Sequence, residues 1–487
     1  MVCEIFIYTI TKKQFLIDTV TQQTTQPLDS SFRDPSGFVF EKDGILYRQV
    51  NDIFKQDFDH FISSGCYDHF VEKQWLIPHE EITHNLTGRA GWYKTLKPQR
   101  VPFITYPYEW CFDMLKDAAL LTLELAREGT RFGVILKDAT PFNVQWSQGK
   151  PVFIDTLSFE KYHATKPWIA YRQFCESFLS PLLLMHYSHQ PLQSLLVSYA
   201  EGIPLSVTKS LLPWRSKFSF YTYLHIHMHE RLASKSRSKE RYPENSPLSG
   251  RQGFSEKKLH RLLDSLQSLV HSLEFKGSST AWDQYYDEAN QRKDYLLQKR
   301  KIMIEWLSEL SETVTAIDLG ANEGTFSFLL SARNMATIAT DSDHSSINKL
   351  YRKIKQEKEK NILPLLMDLA NPTPAIGLNN DERNSFIERT NCDLGLALAL
   401  VHHLAIGKNI PLEKIAGFFE KLANHFIIEF IPKQDEKVQL MLSQKKDIYS
   451  DYTNDNFEVA FQKYFLIKKK QVIGNSGRTL YLMRKYA

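Results

Sequence analysis

The sequence predicts an α/β chain. It ends in a doubly wound parallel sheet closed by an antiparallel hairpin, preceded by an α+β domain and a helical linker. Three observations predict this. From residue 314 onward, five short apolar runs (VTAIDLG, ATIATD, NILPLLMD, CDLGLALAL and HFIIEFI) alternate with helix-like stretches, the pattern of parallel strands joined by crossover helices. The tail YFLIKKKQVIGNSGRTLYLMRK reads as two strands around a turn holding Gly474, Asn475 and Gly477. A length of 487 residues exceeds one hydrophobic core, so two or three domains are expected. The expected divisions are an N-terminal extension (1–30), the α+β domain (31–232), linker and helices (233–299) and the parallel-sheet domain (300–487).

Along the chain, residues 1–30 are polar after a short apolar start. FVFEKDGILYRQV (38–50) spells strand, Asp-Gly turn, strand. FDMLKDAALLTLELAREG (112–129) has helical apolar spacing and a stop at Gly129. NVQWSQGKPVFID reads as a second hairpin, and WIAYRQFCESFLSPLLLMHY (168–187) as a buried helix that ends near Pro181 or runs past it. ASKSRSKERYPENSPLSGRQG (233–253) has the composition of a solvated linker; an RNA or lipid contact is the other use of such a basic run. Leu259, Leu262, Leu263, Leu266, Leu269, Val270 and Leu273 form one stripe of a helix over 255–273. Residues 282–310 read as helical, with Trp282, Tyr285 and Tyr286 at the start.

Composition narrows the function classes. Hydrophobic residues at 43% and charged residues at 24% are ordinary for a soluble globular protein, and a net charge of +4 argues against a dedicated nucleic-acid binder. The five cysteines form no CxxC pair, which fits neither a disulfide framework nor a zinc site and points to reducing cytosol. No apolar run reaches the length of a membrane span, and the N-terminus lacks the features of a secretory signal. A cytoplasmic protein is expected. His225, His227 and His229 lie at alternate positions without a nearby carboxylate or cysteine partner, so packing is favoured over a metal site.

The densest chemistry follows the first parallel strand. In Asp318-Leu-Gly320-Ala-Asn322-Glu-Gly324 the glycines permit a sharp bend and close approach of a ligand to the backbone. Their spacing is not the GxGxxG of a diphosphate loop; it suits a ligand with an amino-acid end and an adenosine. Asp341 ends the second strand, where ribose hydroxyls are read, with Asp343 as a less favoured substitute. Asp368 and the backbone N–H of Leu369 end the third strand, in reach of an adenine edge. With these residues together, 300–487 resembles a class I S-adenosylmethionine-dependent methyltransferase. The resemblance implies that the loop holds the methionine end, Asp341 the ribose and Asp368 the adenine. The fourth strand runs into His402-His403; one of them is a candidate general base, or else packs against the cofactor. The Asn-Pro-Pro-aromatic sequence of many amino-methylating enzymes is absent there. Glu429 either faces the acceptor or forms a structural pair.

A second constellation lies earlier, in LKDATPFNVQWSQGKPVFIDTLSF (136–159). Asp138 and Asn143 keep the spacing of a kinase catalytic loop, and Asp155 follows a hairpin, as a metal-binding Asp would. The stretch resembles the lower lobe of protein and small-molecule kinases. It departs from them at Leu136, at Thr156-Leu157, in lacking a glycine-rich phosphate loop, and at Arg48, which stands on a strand comparable to that of the kinase lysine. YPYEW (106–110), LKDATPFNVQW, PVFIDTLSFE and YRQFCESFL, ahead of the C-terminal domain, make the chain similar to a bacterial family of long methyltransferases that includes a rhizobial nodulation protein. Three functions compete: methyl transfer from S-adenosylmethionine to an unidentified acceptor beside a non-catalytic kinase-like domain; an ATP- and magnesium-dependent phosphotransferase with a cofactor-sensing C-terminal domain; and a non-enzymatic binding module. The sequence leaves the acceptor and the oligomeric state open.

Overall fold

The computed structural model describes residues 25–230, 255–277 and 293–486, apart from the single positions 165 and 444. Most of the N-terminal extension, the linker expected at 233–253, and Trp282, Tyr285 and Tyr286 lie outside the described residues.

Strands β1 (Gly37–Lys42) and β2 (Ile45–Asn51) pair antiparallel around Asp43 and Gly44, whose φ values of 54° and 73° are those an Asp-Gly turn favours. With β3 (His79–Ile82) and β4 (Trp92–Pro98) they form an antiparallel sheet in the order β1-β2-β4-β3. Helix α1 (Phe112–Gly129) is the apolar pillar of this half, its leucines and alanines buried on several sides. Short pairs follow: β5 (Val134–Leu136) with β8 (Phe159–Lys161), and β6 (Val144–Ser147) with β7 (Lys150–Phe153). The helix beyond runs over 171–188 and continues past Pro181. A π-type turn at Cys175–Leu179 precedes the proline, which therefore enters a freshly started turn where its missing N–H is least costly. Helix α2 (Glu256–Ser272) lays Leu259, Leu263, Leu266, Leu269 and Val270 into the core against α1.

In the C-terminal half, α3 (Lys293–Glu309) precedes β9 (Thr315–Leu319), α4 (Thr325–Ser331), β10 (Ala336–Asp341), α5 (His344–Glu357), β11 (Ile362–Leu366), β12 (Cys392–Ala397), β13 (Ala423–Phe430) and the hairpin of β14 (Phe465–Val472) and β15 (Thr479–Lys485). The sheet order is β11-β10-β9-β12-β13-β15-β14. Its first five strands are parallel, and β15 is antiparallel to both neighbours. Helices cover both faces, so the central strands are apolar at nearly every position, as in Ala316, Ile317 and Leu319 of β9. Edge strand β14 instead exposes Lys468 and Lys470, charges that discourage pairing with another chain.

The two halves share one apolar core. The α5 side chains reach across to the start of α1: His344 Nε2 accepts from the Phe112 N–H (3.0 Å), and Asn348 Oδ1 from the Asp113 N–H (2.9 Å). Tyr351 OH donates to Asp117 (2.5 Å), and its ring meets Trp146 edge-on at 5.3 Å. Glu109 of YPYEW forms a buried ion pair with Arg389 and accepts from Thr373 Oγ1 at 2.6 Å. The histidine triplet is helical. His225 and His229 both face Tyr171, while His227 points elsewhere and meets Ser216 Oγ at 3.0 Å.

Candidate functional site

Parallel pairing sets the geometry of the C-terminal site. Asp318 lies in β9, opposite Ala339 of β10 and Leu396 of β12, and Asp341 closes β10 opposite Leu366 of β11. Asp318, Asp341 and Asp368 thus gather at the carboxyl ends of three neighbouring strands, where open parallel sheets bind ligands. A cavity of about 360 Å³ opens there. Asp318, Gly320, Asn322, Asp341, Asp368, Leu369 and His403 all line it.

The bend after β9 is held from below. The N–H groups of Gly320 and Ala321 both donate to Thr340 O, at 2.8 and 2.9 Å. Gly320 has φ 74°, and a Cβ there would point at Leu400 Cδ1, 3.4 Å away. Asn322 adopts φ 51°, donates its N–H to Asp341 Oδ2 (2.9 Å), and keeps its buried Oδ1 without a hydrogen-bond partner. The other Asp341 oxygen accepts from the Asp343 N–H at 2.8 Å, which fixes the carboxylate at the cavity wall. Asp343 caps α5 through Ser346 and does not line the cavity. Gly324 also stands outside the lining: with φ 80° it starts α4, and a Cβ there would strike Leu350 at 2.5 Å. Its place is helix packing rather than the cavity wall.

Burial pushes the Asp318 carboxyl up to about 6, against Ser327 Oγ (2.7 Å) and Lys299, which pull the other way. Burial also raises Asp341, against its backbone donors. Two acids are therefore held in a poorly solvated pocket without a full complement of positive charge, a setting that favours a cationic guest.

The histidines separate. His403 lines the cavity, and burial lowers its imidazole to about 4, so it is neutral near pH 7. His402, 2% exposed, packs beneath, ring to ring with His403 at 3.9 Å, and does not reach the cavity. Of the two histidines expected as candidate bases, only His403 stands on the cavity wall; His402 is buried behind it. Glu429 does not line the cavity. It joins a buried ion network with Lys299 (2.6 Å), Arg478 (3.7 Å) and Tyr295. Burial would raise its carboxyl, but Lys299 and Arg478 outweigh that and hold it below the ordinary range.

Lys299 is the functional candidate that sequence reasoning missed. It is 2% exposed, lines the cavity from α3, and lies 4.8 Å from the Phe326 ring centre. A signal was present: Lys299 falls in phase with Tyr295, Ile302, Met303 and Trp306, a lysine on the apolar stripe of its helix.

The N-terminal constellation also comes together, but closed. Asp138 accepts from Asn143 Nδ2 (3.1 Å) and Gln173 Nε2 (2.6 Å). Asp155 accepts from Ser158 Oγ (2.5 Å), the Leu157 N–H (3.1 Å) and the Arg48 guanidinium, with which it forms an ion pair. Burial lowers Arg48 to about 10, which leaves it a cation at neutral pH. The carboxylate that would bind magnesium is already neutralised by an arginine, so these residues do not fit the metal. Among the described residues, no group of three His, Cys, Asp or Glu is placed to hold one, and no helix is long and apolar enough to cross a membrane.

No protein-family model matches the chain. Nodulation protein NoeA of Rhizobium meliloti (strain 1021) is 33% identical over 463 residues, covering 93% of this chain and 95% of that protein. Solved structures overlap at low scores, and at this overlap they carry no argument. They include the bifunctional kinase-methyltransferase WbdD (16% identity, 40% of this chain and 39% of that one, TM-score 0.27). Another is magnesium protoporphyrin IX methyltransferase from Synechocystis PCC 6803 with bound SAH (13%, 43% and 90%, TM-score 0.30).

Proposed function

The chain belongs to the family of nodulation protein NoeA, and from that premise we propose that its C-terminal half, about 300–487, transfers a methyl group from S-adenosylmethionine to an acceptor. One observation carries the reading: three acids at the ends of adjacent parallel strands surround a glycine bend and one cavity, beside the unpartnered Asn322 Oδ1. The group fits this lining. Gly320 leaves room against the backbone for its amino-acid end, Asp341 would hold the ribose, Asp368 and the Leu369 N–H the adenine, and Asp318 stands near the positive charge. When bound, S-adenosylmethionine supplies an electrophilic methyl group.

The protein's part is then to position an acceptor and exclude water. Leu398, Leu400 and Leu404 form an apolar wall that limits solvent at this end of the cavity. Among the described residues, His403 is the imidazole that lines the cavity. With its pKa near 4 it is a weak base, suited to orienting an acceptor or taking a proton late rather than ionising an unactivated hydroxyl. The N-terminal half is read as a kinase-like scaffold without phosphotransfer, and the closed Arg48–Asp155 pair is what supports that part.

Calorimetric titration of the full chain with S-adenosylmethionine tests the proposal. The wild type binds; Asp341→Ala weakens binding by about 1.5–3 kcal/mol, the worth of a hydrogen bond to a charged group. Unchanged affinity removes Asp341 from the site, and a wild type that does not bind removes the reading.

A further inference from the structure

Folded chains ordinarily bury large apolar side chains and expose small polar ones; the informative surface is one that reverses this. Residues 211–228 do so. Trp214, Phe218 and Phe220 are 72%, 77% and 72% exposed, and Leu211, Tyr221 and Tyr223 are exposed beside them. Beneath lie Ser216, Thr222 and His227, all buried, with Ser216 Oγ 3.0 Å from His227 Nε2. Trp214 and Phe218 meet edge-on at 5.2 Å, and so do Phe220 and Tyr221 at 5.5 Å. The aromatic side chains are thus displayed on a well-anchored base.

The charge near them in sequence is mainly basic, bounded by Glu201 and Glu230. From Gly202 to His229 the sequence has Lys209, Arg215 and Lys217 and no Asp or Glu. Lys209 is engaged with Glu230; Arg215, which also donates to Tyr187 O at 2.8 Å, and Lys217 are exposed among the rings. In sequence, the basic run 233–253 follows soon after. Rings with an apolar body, interleaved with Arg215 and Lys217 and with no acid between residues 202 and 229, match an interface that is greasy below and negatively charged above. A protein partner would need only the apolar half of that match.

We propose that the 211–223 surface docks the protein on an anionic lipid bilayer, with Trp214, Phe218 and Phe220 entering the headgroup region and Arg215 and Lys217 facing lipid phosphates. This does not depend on the chemistry of the cavity.

The test is co-sedimentation of the full chain with phosphatidylcholine vesicles, with and without phosphatidylglycerol, at low and raised salt. The wild type is expected to pellet with the anionic vesicles and to release partly as salt rises. Trp214→Ser/Phe218→Ser/Phe220→Ser should lower partitioning by about tenfold or more, with an unchanged circular-dichroism spectrum and melting midpoint. Should that triple variant misfold, Arg215→Gln/Lys217→Gln reads the same surface and should abolish the preference for anionic over neutral vesicles. Three outcomes overturn the proposal: a wild type that stays in the supernatant with both vesicles; folded variants that pellet as well as the wild type; or light scattering that finds a wild-type dimer lost in the triple variant, which would make the occupant a second copy.

Discussion

Two places in this molecule gather carboxylates, and they treat them in opposite ways. Around Gly320 the acids face a cavity, and burial raises Asp318 and Asp341 above their ordinary range. Around Asp155 each acid is answered from within the chain, by Arg48, Ser158, Asn143 or Gln173. The first place pairs its acids mainly with neutral donors and leaves them beside an open cavity; the second closes on a buried cation. Motif spacing says which residues meet, and only the partners of each lone pair say whether anything is left to bind.

That comparison can be broken most forcefully at Arg48. Arg48→Ala leaves Asp155 as a buried carboxylate without its cation and should cost about 3–5 kcal/mol in chemical denaturation. Arg48→Ala/Asp155→Ala should recover much of this loss, as expected of a structural pair. Equal stabilities of the single and double variants would contradict that account.

Asp318 gives the next largest effect, with the opposite character. Its folded pKa of about 6 lies above the ordinary 3.8, so the folded chain keeps a proton that the unfolded chain releases. The stability this supplies is present below pH 4 and is lost as pH rises through 6, about 3 kcal/mol in all. Asp318→Asn should flatten that part of the profile. Saturating S-adenosylmethionine should shrink it in the wild type, because a nearby cation favours the carboxylate. A wild-type profile that matches the variant's would place Asp318 in an ordinary environment.

Asn348→Ala should have the smallest effect. It removes an acceptor from the first turn of α1, and the loss should be about 1 kcal/mol, as for a helix cap. No change in the denaturation midpoint would mean that water replaces the side chain there.

Much of the parallel sheet was legible in the sequence, because its strands are short apolar runs broken by helical stretches, and the bend from Asp318 to Gly324 interrupts them visibly. What stayed hidden depends on distance and phase. Arg48 and Asp155 are 107 positions apart, and no local pattern couples them. His402 and His403 are neighbours in sequence, and only their different burial in the fold tells which ring reaches the cavity. Gly324 reads as part of the loop, yet its left-handed φ of 80° at the start of α4 is what favours glycine there. Lys299 sits beside Arg300 and Lys301, both exposed, and its apolar neighbours were the only clue.

Helix α5 has a practical bearing on how this protein can be dissected. It begins three residues after Asp341, and its own side chains terminate the first turn of α1. A fragment carrying only the sheet domain would bare His344, Asn348 and Tyr351 to solvent close to Asp341, and the complementary fragment would present α1 with frayed amides. A titration with S-adenosylmethionine on an excised C-terminal piece is therefore expected to understate any affinity of the intact chain.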